Sequence, residues 1–69
     1  MGVVANNTRR IMRERGLLHK YVADKAGLDE KIFSALLTER KIMREEHILS
    51  IAQALNVAPN DLLTETEVA

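Results

Sequence analysis

The sequence predicts an all-α protein, folded as one compact domain of five helices. Its 69 residues suffice for a single small domain, and 46% of them are hydrophobic while only 3% are aromatic. Such a chain must build its core from aliphatic side chains, a composition that favours helices over sheets. Apolar residues also recur at helical spacing in segments that end at glycine or begin at proline, so each helix can be placed in turn.

The first helix is predicted over residues 3–15. Val4, Thr8 and Ile11 lie at helical spacing, and Gly16 is placed to end the helix. Three basic residues fall on its wetter sides: Arg9, Arg10 and Arg13.

The next two helices are short and lie one tight turn apart. The segment HKYVADKA predicts a helix over residues 19–26 that ends at Gly27, and EKIFSALL predicts a helix over residues 30–37 with Asp29 as its N-cap. The apolar positions of this third helix are Ile32, Phe33, Leu36 and Leu37. Ala23 is small where two helices must cross, and Gly27 can take a positive φ, so added bulk at either position is expected to break the pair.

A polar loop and two more helices complete the chain. Residues 38–44 predict a loop that is pinned to the core by Ile42, Met43 or both. The segment EEHILSIAQALNV predicts a fourth helix with an apolar stripe and an acidic first turn, and Pro59 begins a brief fifth helix, PNDLL. Leu62 and Leu63 are expected on the core, and the tail from 64 to 69 is expected to fray.

Charge is unevenly distributed, although the net charge is zero. Residues 1–44 contain all ten basic residues and five acids and carry +5, whereas residues 45–69 carry −5. This asymmetry suggests a basic face that binds a polyanion and an acidic end that stays away from it. Charges that only solvate a helical surface would give the same numbers, so the distribution by itself favours neither interpretation.

Several kinds of chemistry find no support in the sequence. There is no cysteine, His19 and His47 are isolated, and no glycine-rich loop is present to hold phosphate. We therefore expect no enzyme, metal site, cofactor or small-molecule substrate. Charged or polar residues interrupt every apolar segment, so we expect no membrane span and a soluble, cytoplasmic protein.

Three features follow one another in the run from Asn7 to Leu63. An arginine-rich first helix ends in RERGL, the turn VADKAGL joins two short helices, and the segment IAQALNVAPNDLL closes the run. In this order and spacing the residues resemble the small helix-turn-helix domain of phage repressors, Cro proteins and Xre-type bacterial regulators. The resemblance implies a lambda-repressor-like fold over residues 1–69, with the helix-turn-helix at about 19–37.

The same resemblance implies how double-stranded DNA would be bound. In this fold the third helix enters the major groove with its first residues on base edges, while the second helix lies across the phosphate backbone. The positions that would face the groove are Glu30, Lys31, Ser34 and Ala35. The positions that match phosphate contacts are His19, Lys20, Thr38, Arg40, Lys41 and Arg44. Lys31 is the strongest candidate for reading a base, because lysine can donate to guanine.

The chain also departs from the family pattern. Relatives often pair an arginine on the first helix with a glutamate late in the third, where this sequence has Met12 and Leu37, so an apolar contact is expected to replace an ion pair. Leu18 stands where Ser or Thr is usual and is expected either in solvent or in an interface. Glu39 stands where glycine often follows the third helix.

The function implied by the resemblance is a sequence-specific transcriptional regulator that occludes promoter DNA, like a Cro or repressor protein of a phage or mobile element. One short helix contacts few base pairs, so a weak homodimer on a two-fold site is expected. Its surface is expected at the end of the fold: Val57, Leu62, Leu63 and Val68. The alternative is a helix-turn-helix-derived protein-interaction module with weak or no DNA binding, which Glu30, Ala35 and the zero net charge favour.

Overall fold

Five helices follow one another in a computed structural model that describes residues 2–64. They are α1 (Val3–Arg15), α2 (His19–Ala26), α3 (Glu30–Leu37), α4 (Glu45–Leu55) and α5 (Pro59–Leu63), and the described residues include no strand. The all-α prediction is confirmed. Only the end of α4 differs from the sequence prediction, because Asn56 adopts a left-handed conformation that stops the helix two residues earlier.

The core is apolar and draws on all five helices. Its buried side chains are Ala5, Ile11, Met12, Val22, Ala23, Phe33, Leu36, Leu37, Ile51, Ala52, Leu55 and Leu62. Phe33 is fully buried, and the rest of the core is aliphatic or methionine, as the composition predicts. Met12 and Leu37, which were expected to replace an ion pair, are both buried in this core.

Three helices end in the same way. The residue that closes each of them has a positive φ, between 58° and 72°: Gly16 after α1, Gly27 after α2 and Asn56 after α4. The next residue is apolar, packs against the core, and donates its N–H to a carbonyl five residues earlier: Leu17, Leu28 and Val57. These hydrogen bonds satisfy backbone carbonyls that would otherwise have no donor at the helix end, and they anchor each following loop.

Polar groups of α1 hold the ends of distant helices. Asn7 is buried, and its Nδ2 donates to the carbonyl oxygens of Leu62 at 2.8 Å and Thr64 at 2.9 Å. The guanidinium of Arg15 donates to the carbonyl oxygen of Leu55 at the end of α4. These bonds fasten α4 and α5 to α1, in addition to apolar packing.

Three apolar side chains that the sequence pattern singled out are exposed: Ile32, Ile42 and Leu63. Phe33, Leu36 and Leu37 fill the buried side of α3, which leaves Ile32 at its edge. In the loop after α3, Met43 packs against the core while Ile42 is 76% exposed. In the single turn of α5 the inward position is taken by Leu62, so Leu63 is 53% exposed. The expectation that Leu63 lies on the core was wrong, whereas the loop is pinned by Met43, one of the two residues expected to do so.

No helix within residues 2–64 has both the length and the apolar composition that crossing a membrane requires. Val68 and most of the tail that was expected to fray lie outside the described residues.

Candidate nucleic-acid interface

α2 and α3 are joined by a turn of three residues that hydrogen bonds hold on both sides. Gly27 closes α2 with φ +72°, and Leu28 packs against the core while its N–H donates to the Ala23 carbonyl at 2.9 Å. Asp29 then begins α3, since its Oδ1 accepts the N–H of Lys31 at 2.8 Å. The turn therefore fixes α3 against α2, as the sequence predicts.

Glycine is required at position 27 by its backbone conformation alone. A Cβ built there meets no atom within 4 Å, so added bulk has room. At Gly27, the expectation that a larger side chain disrupts the packing of α2 and α3 is corrected: such a side chain has a conformational cost only. At Ala23, which is 1% exposed, the same expectation stays a prediction.

The outer face of α3 carries every residue expected to read bases. With 3.6 residues per turn, the outward positions of this helix and its C-cap fall within a sector of about 140°. They are Glu30, Lys31, Ser34, Ala35 and Thr38. Phe33, Leu36 and Leu37 lie on the other side and are buried.

Five of the expected site residues line one shallow depression along this face. They are Lys31, Ser34, Ala35, Thr38 and Arg40. The depression thus combines base-reading candidates from α3 with phosphate-binding candidates from the loop that follows. Thr38 donates its hydroxyl proton to the carbonyl of Ser34 at 2.9 Å, so within the fold its oxygen remains only as an acceptor.

The chain reverses after α3 by the same hydrogen-bond pattern that ends α1, α2 and α4. Glu39 has φ +63°, and the N–H groups of Arg40 and Lys41 both donate to the carbonyl of Ala35, at 2.9 Å and 3.2 Å. Here the residue after the left-handed position is an exposed arginine instead of an apolar anchor. The reversal therefore presents Arg40 beside the outer face of α3.

His19 and Lys20 lie exposed in the first turn of α2. The N-cap residue Leu18 makes no side-chain hydrogen bond to this turn and is 73% exposed, which leaves it open to solvent or to a partner, the two environments expected for it. The edge of the His19 ring meets Phe33 of α3, with ring centroids 5.6 Å apart. One phosphate-binding candidate is thus in direct contact with the proposed reading helix.

The remaining phosphate-binding candidates are not gathered at the same place. Lys41 lines a separate apolar cleft with Val3, Ile42 and other residues near the start of α1. Arg44 is the N-cap of α4, where its N–H donates to Nδ1 of His47 at 3.1 Å. Arg44 therefore lies beside the acidic first turn of α4.

Two arginines of α1 join His19 in a second depression. It is lined by Arg9, Met12, Arg13, Leu17 and His19. Nη2 of Arg9 also donates to the carbonyl oxygen of Leu37 at 2.7 Å. The sequence predicted Arg9 and Arg13 on solvent-exposed sides of α1, without a role in a site. Their spacing of four residues, which puts both on the same helix face, was the signal that could have indicated one.

The expected dimer surface is corrected at one residue. Leu62 is fully buried within the monomer and offers no surface to a second copy. Leu63 is exposed, Val57 is partly buried against the core, and Val68 lies outside the described residues.

Among residues 2–64 no three His, Cys, Asp or Glu side chains are grouped as metal ligands would be.

Comparison with known proteins gives one result. A family model described as the Cro/C1-type HTH DNA-binding domain matches residues 7–66, which is most of the chain. Domains of this kind are DNA-binding modules and not enzymes. No curated protein and no solved structure matches the chain.

Proposed function

Since the chain belongs to the Cro/C1-type helix-turn-helix DNA-binding domain family, we propose that it is a sequence-specific regulator that inserts α3 into the major groove of double-stranded DNA. The observation that carries the proposal is the depression where Lys31, Ser34 and Ala35 lie together with Arg40. Base-edge donors and a phosphate-binding cation occupy one surface there, as major-groove binding requires.

Each residue of the outer face has a defined capacity to read a base. Lys31 can donate to O6 and N7 of guanine, Ser34 can donate or accept, and Ala35 can contact the methyl group of thymine. Glu30 can accept a hydrogen bond from the N4 amino group of cytosine, and its charge repels phosphates elsewhere. We assign base reading to these four residues.

Phosphate contacts are assigned to cations and a hydroxyl from the first turn of α2, the C-cap of α3 and the loop that leads to α4. They are His19, Lys20, Thr38, Arg40, Lys41 and Arg44. The contact of His19 with Phe33 and the reversal that carries Arg40 support the two assignments nearest to α3. Such contacts set the register of the domain on DNA and carry no sequence information themselves.

The regulator is proposed to act as a homodimer that occludes promoter DNA, like a Cro or repressor protein of a phage or mobile element. Two copies on half-sites about one helical turn apart would supply the specificity that one short helix lacks. Leu63 and Val57, near the ends of α5 and α4, are the described residues that we assign to the contact between copies.

A binding titration tests the proposal. The protein is presented with DNA flanking its own gene and with a random-sequence duplex pool, and the tightest binder is kept as the selected duplex. With about 4 to 6 phosphates neutralised per bound unit, the logarithm of its binding constant should fall with log salt at a slope of about −4 to −5. The random pool should bind more weakly at every salt concentration.

One observation favours a second candidate function, a protein-interaction module that keeps the scaffold but has lost strong DNA affinity. Leu18 is 73% exposed where a capping residue would serve α2 better. Absence of DNA binding at low salt, or a slope near zero, would favour this module over the DNA regulator.

A further inference from the structure

The depression between α1 and α2 contains basic side chains from two helices. Arg9 and Arg13 lie four residues apart on the same side of α1, and His19 faces them from the first turn of α2. Within residues 2–64 neither arginine has a carboxylate partner, whereas their neighbour Arg10 forms an ion pair with Glu14 at 3.4 Å. Arg9 and Arg13 therefore keep their charge available for an anion from outside.

Arg9 is also connected to the reading helix. Its Nη2 donates to the carbonyl oxygen of Leu37, one of the last carbonyls of α3, at 2.7 Å. A guanidinium has five N–H donors in a planar fork, so one bond to a carbonyl leaves others for a second acceptor. A positive group at this end of a helix also interacts favourably with the helix dipole.

Two of the residues that line the depression contact one side of α3. His19 contacts Phe33 and Arg9 contacts Leu37, and these two α3 residues lie one turn apart on the same side. Glu30 and Ser34 lie next on the helix surface, where the base-reading face begins. An anion bound between Arg9, Arg13 and His19 would thus lie directly alongside that face.

We propose that Arg9 and Arg13, together with His19, bind a backbone phosphate of DNA alongside α3, and that Arg9 is also a positioning residue that holds the end of α3. The proposal rests on the DNA-binding function proposed above. A guanidinium group binds phosphate through short charge-assisted hydrogen bonds, often two at once, and phosphate is the anion that the DNA backbone offers. Arg9 would then join the phosphate to the carbonyl of Leu37 and couple backbone binding to the placement of the reading helix.

The test compares salt dependence and sequence discrimination in single variants of the full chain. Binding to the selected duplex and to the random pool is titrated at several salt concentrations for Arg13→Ala, Arg9→Ala and Arg9→Lys. Arg10→Ala is the matched control, because Arg10 is on the same helix but lines a different depression with Glu14 and Asp61. Circular dichroism establishes that each variant is folded at the titration temperature.

The expected results differ between the variants. Arg13→Ala should reduce the steepness of the salt slope by about 0.9 and weaken both duplexes by the same factor. Arg9→Ala should reduce the slope equally and should also lower the ratio of selected to random affinity, because the end of α3 is released. Arg9→Lys should keep the slope but lose part of the ratio, since an ammonium lacks the planar fork that serves carbonyl and phosphate together. Arg10→Ala should change neither quantity.

An unchanged slope in Arg13→Ala, together with a normal affinity ratio in Arg9→Lys, would overturn this inference while leaving the DNA-binding function intact. A wild-type protein that binds no DNA at low salt would instead remove the proposed function, and this inference with it. If Arg9→Ala does not fold, the other two variants still test the inference: Arg13→Ala tests phosphate binding, and Arg9→Lys tests the positioning role.

Discussion

The side-chain amide of Asn7 donates a hydrogen bond to the carbonyl oxygen of Leu62 at 2.8 Å, across 55 residues of sequence. A second bond from the same nitrogen reaches the carbonyl of Thr64. The last turn of the described chain is therefore held by a buried polar group as well as by the side chain of Leu62.

Asn7→Ala should destabilise the fold by about 1 to 3 kcal/mol, because buried carbonyls at the end of α5 lose their donor. Asn6→Ala is the matched control: it makes the same change at the neighbouring, exposed position of α1 and should alter stability by less than about 0.5 kcal/mol. Urea denaturation of both variants measures the difference. Equal free energies of unfolding would show that the Asn7 bonds add nothing to stability.

Glu39 has a left-handed backbone that costs a residue with a side chain about 1 to 2 kcal/mol. Glu39→Gly and Glu39→Ala both remove the carboxylate, so their comparison isolates the backbone. The glycine variant should be more stable than the alanine variant by about 1 kcal/mol in thermal or chemical unfolding. An alanine variant of equal stability would contradict a strained conformation at this position.

Gly27→Ala and Ala23→Leu should differ in their effects. The first has open space at its Cβ and should cost only about 1 to 2 kcal/mol from the positive φ. The second adds bulk to a buried contact and should cost at least as much, by overpacking, while also weakening DNA binding through displacement of α3. Unfolding and DNA titration should both be measured. If Gly27→Ala fails to fold, the Cβ at position 27 must meet neighbouring atoms, which would contradict the open space found there.

Glu30→Gln tests whether the first residue of α3 acts on DNA. It should destabilise the helix by about 0.3 to 1 kcal/mol through the lost dipole interaction, tighten binding to random DNA, and relax base preference at one symmetric pair of positions. Glu46→Gln is the control, because Glu46 lies in the first turn of α4 and should show only the stability effect. If Glu30→Gln lowers the melting temperature without changing random-DNA affinity, base reading shifts to Lys31 and Ser34.

Leu63→Glu tests the proposed contact between copies. It should shift sedimentation at micromolar concentration towards the monomer and weaken binding to a two-fold duplex more than to a single half-site. Leu49→Glu places the same charge at a similarly exposed leucine of α4 and should leave assembly unchanged. A wild-type monomer that footprints one half-site would count against the dimer.

Much of the fold could be predicted because its signals are local. Gly16, Gly27, Asp29 and Pro59 act through the conformation or capping of their own segments, so they place helix ends without knowledge of the rest. Leu62 and Leu63 show the limit of such signals. Both are apolar and adjacent, and only the positions of α1 and α4, against which α5 packs, decide which of them is buried.

The missed features depend on partners that are distant in sequence. Asn7 and Arg9 donate to backbone carbonyls 55 and 28 residues away, and no pattern of residue types encodes which carbonyl a side chain will reach. The residues that share the outer face of α3 follow from helical spacing once the buried ones are known, whereas their role in reading bases is implied by the family resemblance and stays a prediction. The basic depression lined by Arg9, Arg13 and His19 could not be predicted from the sequence, because it requires α1, α2 and α3 to be assembled.

The reversal after α3 has an evolutionary consequence. The other three reversals are anchored by a partly buried apolar residue, whereas residues 38–42 are exposed throughout. Mutations in this stretch can change cationic groups beside the reading helix at little cost to folding, since exposed positions tolerate substitution. A lineage carrying this domain can therefore drift in its affinity for DNA, one charge at a time, while the scaffold that presents α3 is inherited intact.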